Sequence, residues 1–159
     1  MEILTGIKAR GDVQAVIEHS SGRIDVIEFP NAILMAGRYA LASSLANSFN
    51  GNYPYYISRM VFGNGGTANG SPKFVSTDRI ALYSGTPIAS KPVVATIDPN
   101  VPSQVILTSV LTVNDANSYA LSEMALQMAN DELYSMVTFP DLNKTDQMQI
   151  TWSWRLSFV

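Results

Sequence analysis

The last thirteen residues of the chain alternate between apolar and polar side chains. Over residues 147–159 the alternation fails only at Val159. The apolar positions are Met148, Ile150, Trp152, Trp154, Leu156 and Phe158. A period of two is typical of a β-strand with one buried and one solvated face. Because both tryptophans of the chain fall on the apolar side, the sequence predicts a core strand here.

Two valine- and isoleucine-rich runs near the N-terminus, residues 13–19 and 23–29, predict a β-hairpin. Ser20, Ser21 and Gly22 separate them, and a glycine supplies the positive φ that tight hairpin turns need. Pro30 then ends the second strand. The next segment, residues 32–47, is rich in alanine and leucine and predicts the one helix of the chain, capped by Asn31. Its predicted sheet-facing positions are Leu34, Leu41 and Leu45.

Further short runs, bounded by Gly, Pro, Asn and Asp, predict strands at residues 55–62, 80–83, 93–97, 105–113, 120–128 and 133–139. Residues 120–128 also have helical propensity, but the turn at Asn130 and Asp131 favours pairing with residues 133–139. The predicted fold is mainly β: an antiparallel β-sandwich or jelly-roll-like structure with one α-helix packed on its side. We expect a single domain over residues 1–159, with residues 1–12 as an N-terminal arm.

Composition limits the classes of function. Charged residues are 14% of the chain, against roughly 25% in an average soluble domain. So little charge suggests a surface partly covered by other copies or neighbours; the alternative is a low-charge monomer. The net charge is −3 without a basic run, which argues against nucleic-acid binding. No apolar stretch reaches the roughly 20 residues of a membrane span, and the N-terminus lacks a signal-peptide pattern.

The chain offers few residues for catalysis. It has no cysteine and a single histidine, His19, which excludes thiolate chemistry and His-cluster metal sites. No complete set of nucleophile, base and orienting group is present, so we expect no enzyme activity, no cofactor and no metal. Trp152 and Trp154 could form a sugar-stacking platform, but their regular alternation with apolar residues favours a core role.

A glycine-rich segment, residues 63–72, is the longest loop signal. It lacks the lysine and the glycine spacing of a phosphate-binding loop, and Pro72 prevents a following helix. We interpret it as a surface loop that reaches a neighbouring subunit. The candidate interface residues there are Gly63, Asn64, Gly65, Gly66 and Thr67. A second candidate is the aromatic group Tyr53, Tyr55 and Tyr56, which suits either a partner contact or a lid over the helix.

Glu123 lies inside an apolar strand, where a carboxylate is costly unless it is hydrogen-bonded. Its alternation parity with Leu121 and Ala125 places it on the inward face. We expect a structural ion pair with Lys144 or Arg155, or bonds to backbone N–H groups.

Six short motifs occur together in this chain: Ser122-Glu123 in a strand, Phe139-Pro140 at the end of the next, the Lys144-Thr145 crossover, the alternating residues 150–158, the loop of residues 59–67 with its FGNGG core, and residues 93–98. This set resembles virion proteins of tailed bacteriophages, among them tail-collar and tail-fibre proteins. The resemblance covers about two-thirds of the chain.

The resemblance implies a non-enzymatic structural component, made in the host cytoplasm and located in the virion. It implies that many copies assemble at the neck, collar or tail, with other virion proteins as partners. Fibre proteins usually continue into repetitive shafts, whereas this chain stops at Val159, which favours a small stand-alone component. Two alternatives stay open: a capsid decoration (cement) protein on the head exterior, and a module that binds carbohydrate on the host surface.

Overall fold

A computed structural model describes residues 8–46 and 55–158. Within these residues the backbone forms one helix, α1 (Met35–Ala46), and twelve strands. The strands are β1 (Ala9–His19), β2 (Ile24–Pro30), β3 (Ala32–Ile33), β4 (Ile57–Gly63), β5 (Thr67–Ala68), β6 (Ser71–Pro72), β7 (Ala89–Pro92), β8 (Val94–Thr96), β9 (Gln104–Leu111), β10 (Ala120–Met128), β11 (Leu133–Asn143) and β12 (Met148–Phe158).

Ten of the twelve described strands form two five-stranded antiparallel sheets. The first sheet has the strand order β2-β1-β12-β9-β8, and the second has the order β3-β11-β10-β4-β7. A small hairpin, β5-β6, forms a separate two-stranded sheet that contacts β11. The buried side chains of the two sheets form a shared core, as expected for a sandwich. The prediction of a mainly β, antiparallel sandwich with one helix is confirmed.

The alternating C-terminal segment is the strand β12, in the middle of the first sheet between β1 and β9. Its apolar residues Ile150, Trp152, Trp154 and Leu156 are all buried. The Trp152 ring lies 5.5 Å from the ring of Phe139 in the second sheet. Because full burial of one tryptophan removes about 150–250 Å² from water, each contributes on the order of 4–6 kcal/mol of transfer free energy. The two tryptophans are therefore core residues, as their alternation predicts.

The predicted N-terminal hairpin is present. β1 and β2 pair in antiparallel register, and the His19 amide donates to the Arg23 carbonyl at 2.9 Å. Gly22 has φ +86°, the left-handed conformation that glycine adopts without steric cost. β1 begins at Ala9, which pairs with Phe158. The described part of the predicted arm, residues 8–12, therefore belongs largely to the sheet; residues 1–7 lie outside the described residues.

The helix begins three residues later than predicted. Ala32 and Ile33 form the short strand β3 against β11, and the Leu34 amide donates to the Tyr134 carbonyl at 3.0 Å. These bonds to a distant strand satisfy backbone groups that a helix start would leave unpaired. Asn31 is consequently not the helix cap. Of the three predicted sheet-facing leucines, Leu34 is fully buried just before α1, and Leu41 is partly buried within α1. The side chain of Leu45 lies outside the described part of the structure.

The strand predicted at residues 80–83 is absent. This segment is irregular, with a single bridge between Leu82 and Gly85. Its amides at Tyr83 and Ser84 donate to the Glu123 carboxylate rather than to a neighbouring strand. A side chain thus takes the place of the sheet partner that the pattern requires.

Candidate functional site

The carboxylate of Glu123 joins two loops to the middle of the second sheet. The side chain is fully buried on β10. Its Oε1 accepts the amides of Gly65 at 3.0 Å and Ser84 at 2.8 Å, and its Oε2 accepts the amide of Tyr83 at 2.6 Å. Hydrogen bonds to a charged acceptor are shorter and stronger than neutral ones. Three such bonds compensate for removing the carboxylate from water.

The glycines of the FGNGG segment make this approach sterically feasible. A Cβ on Gly66 would overlap the carbonyl oxygen of Ser122, and a Cβ on Gly63 would overlap the side chains of Ser84 and Glu123. The Gly66 amide donates to the hydroxyl of Ser122 at 2.9 Å. The loop is therefore bound closely to its own sheet through Ser122 and Glu123.

Because the loop is bound to its own sheet, few of its predicted interface residues can contact another molecule. Gly63 and Gly66 are buried within the molecule, and Gly65 and Thr67 are half-buried, whereas Asn64 is exposed. The Thr67 hydroxyl donates to Asp141 Oδ1 at 2.9 Å. Of these five candidates, only Asn64 has an exposed side chain for a neighbouring molecule.

The connection between β6 and β7, residues 73–88, is also anchored. The Tyr83 hydroxyl donates to the Phe74 carbonyl at 2.6 Å, and the guanidinium of Arg79 stacks 3.6 Å from the centre of the Tyr83 ring. Thr138 donates to the carbonyl of Lys73 at 2.6 Å. These contacts hold the connection against the sheet.

Two large apolar side chains nevertheless project from this anchored connection. Phe74 is 86% exposed and Ile80 is 87% exposed, the highest values among the exposed large hydrophobic residues of the described chain. Holding such side chains in water has no benefit for the isolated fold, so they are candidates for contact with another molecule. We refer to Phe74 and Ile80 as the apolar pair.

The predicted ion pair of Glu123 with Lys144 or Arg155 is not formed. Lys144 is fully buried and its Nζ donates to Asn117 Oδ1 at 3.0 Å and to the Thr145 carbonyl at 2.8 Å. Burial lowers the pKa of the Lys144 ammonium, partly offset by nearby carboxylates. Arg155 lies on the exposed face of β12, in the other sheet. The backbone N–H groups, named as the alternative, are the actual partners of Glu123.

The tyrosine group is only partly described. Tyr53 lies outside the described residues. Tyr55 makes an edge-to-face contact with Tyr39 of α1, with ring centres 6.1 Å apart. Tyr39 and Tyr56 are 62% and 65% exposed. The helix therefore contributes a tyrosine to this exposed aromatic group, which the sequence pattern did not indicate.

His19 belongs to a surface charge network. Its Nε2 lies 2.8 Å from Asp25 Oδ2, and Arg23 lies 3.0 Å from the same oxygen. The hydrogen bond to His19 is the main reason that the pKa of Asp25 lies below its usual value. Within residues 8–46 and 55–158, no three acidic, cysteine or histidine side chains are grouped in a way that could hold a metal ion.

The apolar pair was not predicted from the sequence. Phe74 lies in no predicted element, and Ile80 begins the strand predicted at residues 80–83. The available signal was local: Phe74 stands in the mostly polar residues 71–80, with Pro72 and Ser76, not apolar residues, at its alternating positions.

Comparisons with protein-family models, curated proteins and solved structures find no match to this chain. Among the helical residues that the structure describes, none form a segment long and apolar enough to cross a membrane.

Proposed function

We propose that this protein is a non-enzymatic structural component of a tailed-phage virion and assembles in multiple copies at the neck, collar or tail. The observation that carries the proposal is the contact between Glu123 and the FGNGG loop. Ser122-Glu123 and Phe62–Thr67 belong to two of the motifs that carry the resemblance, and they are about 60 residues apart in the sequence. In the fold they meet and bond directly.

The nature of this contact favours a structural role. The two polar side chains that β10 contributes to the motif are used within the fold: the Glu123 carboxylate accepts backbone amides, and the Ser122 hydroxyl accepts the Gly66 amide. The motif therefore stabilises the loops of one end of the sandwich. What those loops present to solvent is the apolar pair, which suits a protein whose neighbours cover it after assembly.

The proposal predicts that a phage genome carries the gene, and it is tested on particles of that phage. We expect the protein in purified particles by mass spectrometry, at more than one copy per particle, and defective necks or tails by electron microscopy when the gene is deleted. The double variant Phe74→Asp/Ile80→Asp should fold with unchanged melting temperature yet be lost from particles. Ile97→Asp, which alters an exposed residue outside the apolar pair, is the matched control. Absence of the wild-type protein from particles would refute the proposal.

The first alternative, a capsid decoration protein, differs from the proposed function in where the protein binds on the particle. A capsid decoration protein would bind purified heads that lack tails, whereas a neck or tail component would not. Negative-stain images of gold-labelled protein on separated heads and tails distinguish the two.

Carbohydrate binding is the alternative from a different class, and the exposed tyrosines favour it. Tyr39 and Tyr55 are in edge-to-face contact, Tyr56 follows Tyr55 in the chain, and Tyr39 and Tyr56 are exposed. Aromatic rings of this kind can stack on sugar faces. A glycan array screen tests it: specific binding that Tyr56→Ala abolishes without changing the melting temperature would support this function over assembly.

A further inference from the structure

No described strand pairs with the outer edge of β2. β2 forms one side of the first sheet and pairs only with β1 among the described strands. The His19 amide bonds to the Arg23 carbonyl, so the bonded pairs of this antiparallel ladder involve residues 25, 27 and 29 of β2. The N–H and C=O groups of Ile24, Val26 and Glu28 consequently point away from the sheet.

β2 lacks the features that protect edge strands from pairing with other chains. Natural edges are usually short, bulged, or interrupted by lysine or proline. The other three sheet edges follow this rule: β3 has two residues, β8 has three, and β7 has four and includes Lys91 and Pro92. β2 has seven residues with regular register, no lysine, and a proline only at its last position.

The side chains along this edge are also apolar. Ile24 is 61% exposed and Val26 is 58% exposed. The acidic Glu28 leans onto the sheet, where its Oε1 accepts the side-chain amide of Gln14 at 3.1 Å. The charge of Asp25 is engaged by His19 and Arg23. The two acidic side chains of β2 are thus held by contacts within the same chain and do not block another strand from pairing with its outward N–H and C=O groups.

We propose that β2 pairs antiparallel with β2 of a second copy, about a two-fold axis at Val26. The strand is self-complementary about this residue, because the turn residue Gly22 and the donorless Pro30 are equally distant from it. Val26 then faces Val26 of the second copy, and Ile24 faces Glu28. These residues exchange about six hydrogen bonds, since each bonded antiparallel pair makes two.

This pairing joins the two first sheets into one continuous sheet. The outer face of the sheet already carries a row of β-branched residues in register, Val26, Val16, Thr151 and Val110. In the dimer, the row of one copy continues into the row of the other, because Val26 of each copy lies beside Val26 of its partner. β-Branched neighbours on adjacent strands stabilise a sheet. The inference rests on the multiple copies of the proposed function, but its test needs no virion.

Cysteine cross-linking tests the pairing and its register, since the chain has no cysteine of its own. Bonded antiparallel partners have Cα atoms about 5.5 Å apart, within the range that a disulfide spans. We therefore expect Val26→Cys to form a disulfide-linked dimer under mild oxidation. Ile24→Cys should not, because the two copies of residue 24 lie about 13 Å apart along the strands. The double variant Ile24→Cys/Glu28→Cys should cross-link again.

Val94→Cys is the matched control for random collision. Val94 is 68% exposed on the edge strand β8 of the same sheet. Cross-linking of Val26→Cys no faster than of Val94→Cys would overturn the proposal, and so would equal cross-linking of Ile24→Cys. Light scattering on cysteine-free protein gives a second test: Val26→Lys should raise the dimer dissociation constant about tenfold or more, through like charges facing each other, while Val94→Lys should not.

The outcomes also separate this inference from the proposed function. Cross-linking at Val26 in a protein that is absent from phage particles would sustain the dimer and refute the virion role. Presence in particles without cross-linking at Val26 would support the virion role and refute the dimer.

Discussion

Replacing Glu123 by glutamine tests whether the carboxylate holds the loops to the second sheet. The substitution preserves shape but exchanges one oxygen for an N–H₂ group, which cannot accept a bond. The amide nitrogen at the Oε1 position would lose the bonds from Gly65 and Ser84, whereas at the Oε2 position it would lose only that from Tyr83. We therefore expect glutamine to take the second orientation and to leave the Tyr83 amide unpaired.

The magnitude follows from the bonds that change. A hydrogen bond to a charged group contributes about 1.5–3 kcal/mol, and the two remaining bonds weaken to neutral ones of about 0.5–1.5 kcal/mol each. Removing a buried charge returns part of this loss. We expect Glu123→Gln to lower the free energy of unfolding by about 2–3 kcal/mol, or about 4–12 °C in melting temperature for a chain of this size.

Urea titration followed by circular dichroism measures the global effect, and amide hydrogen exchange at Tyr83, Ser84 and Gly65 measures the local one. Glu132→Gln is the matched control, because Glu132 is exposed in the turn between β10 and β11. The reasoning would be refuted if Glu123→Gln were as stable as the control and the Tyr83 amide kept its protection from exchange.

Three further variants probe the core, the glycine loop and the link between the sheets. Trp154→Ala should lower the free energy of unfolding by about 3–5 kcal/mol through cavity formation, and an unchanged melting temperature would contradict a core role. Gly66→Ala should cost about 1–3 kcal/mol, because its Cβ overlaps the Ser122 carbonyl, and it should speed exchange in the loop. Burial alone would raise the pKa of Asp115, but the Lys91 ammonium, 2.6 Å away, and further hydrogen bonds lower it below 3.8. The ionised Asp115 carboxylate therefore stabilises the fold fully at pH values above the ordinary pKa of aspartate. This stabilisation is lost as the pH falls through the lower pKa of the folded state. Asp115→Asn should therefore lower the melting temperature at neutral pH and make it depend less on pH in acid solution. An unchanged dependence on pH would contradict the stabilising role of the Asp115 carboxylate.

The sequence was most informative where structure depends on local pattern. The alternation of β12 and the hairpin around Gly22 are properties of neighbouring residues, so their positions could be predicted closely. The turn after β10 is similar: Asp131 adopts φ +70°, a conformation that aspartate tolerates in turns. Strand order and register involve residues far apart in the chain, and no local pattern specifies them.

The errors share one physical cause, bonds to distant backbone. The helix start was misplaced because β11 pairs with Ala32 and Ile33. The strand at residues 80–83 was predicted from its apolar content, but the Tyr83 amide and that of the following Ser84 bind Glu123. The partner of Glu123 was sought among basic side chains because charges are visible in a sequence, whereas the orientation of an amide is not.

Glu123 and Lys144 show how a core with few charges tolerates two buried ones. Neither forms an ion pair with the other, although both are fully buried. Each is instead surrounded by dipoles of the opposite sign: amide N–H groups for the carboxylate, and the oxygens of Asn117 and Thr145 for the ammonium. Such dipoles come from loops rather than strands, so each buried charge fixes the path of the loops around it. The Glu123 loops hold the apolar pair in solvent. Fixed loops would lose less entropy on binding a partner there, so the hydrogen bonds that stabilise the fold at Glu123 would also favour the proposed assembly.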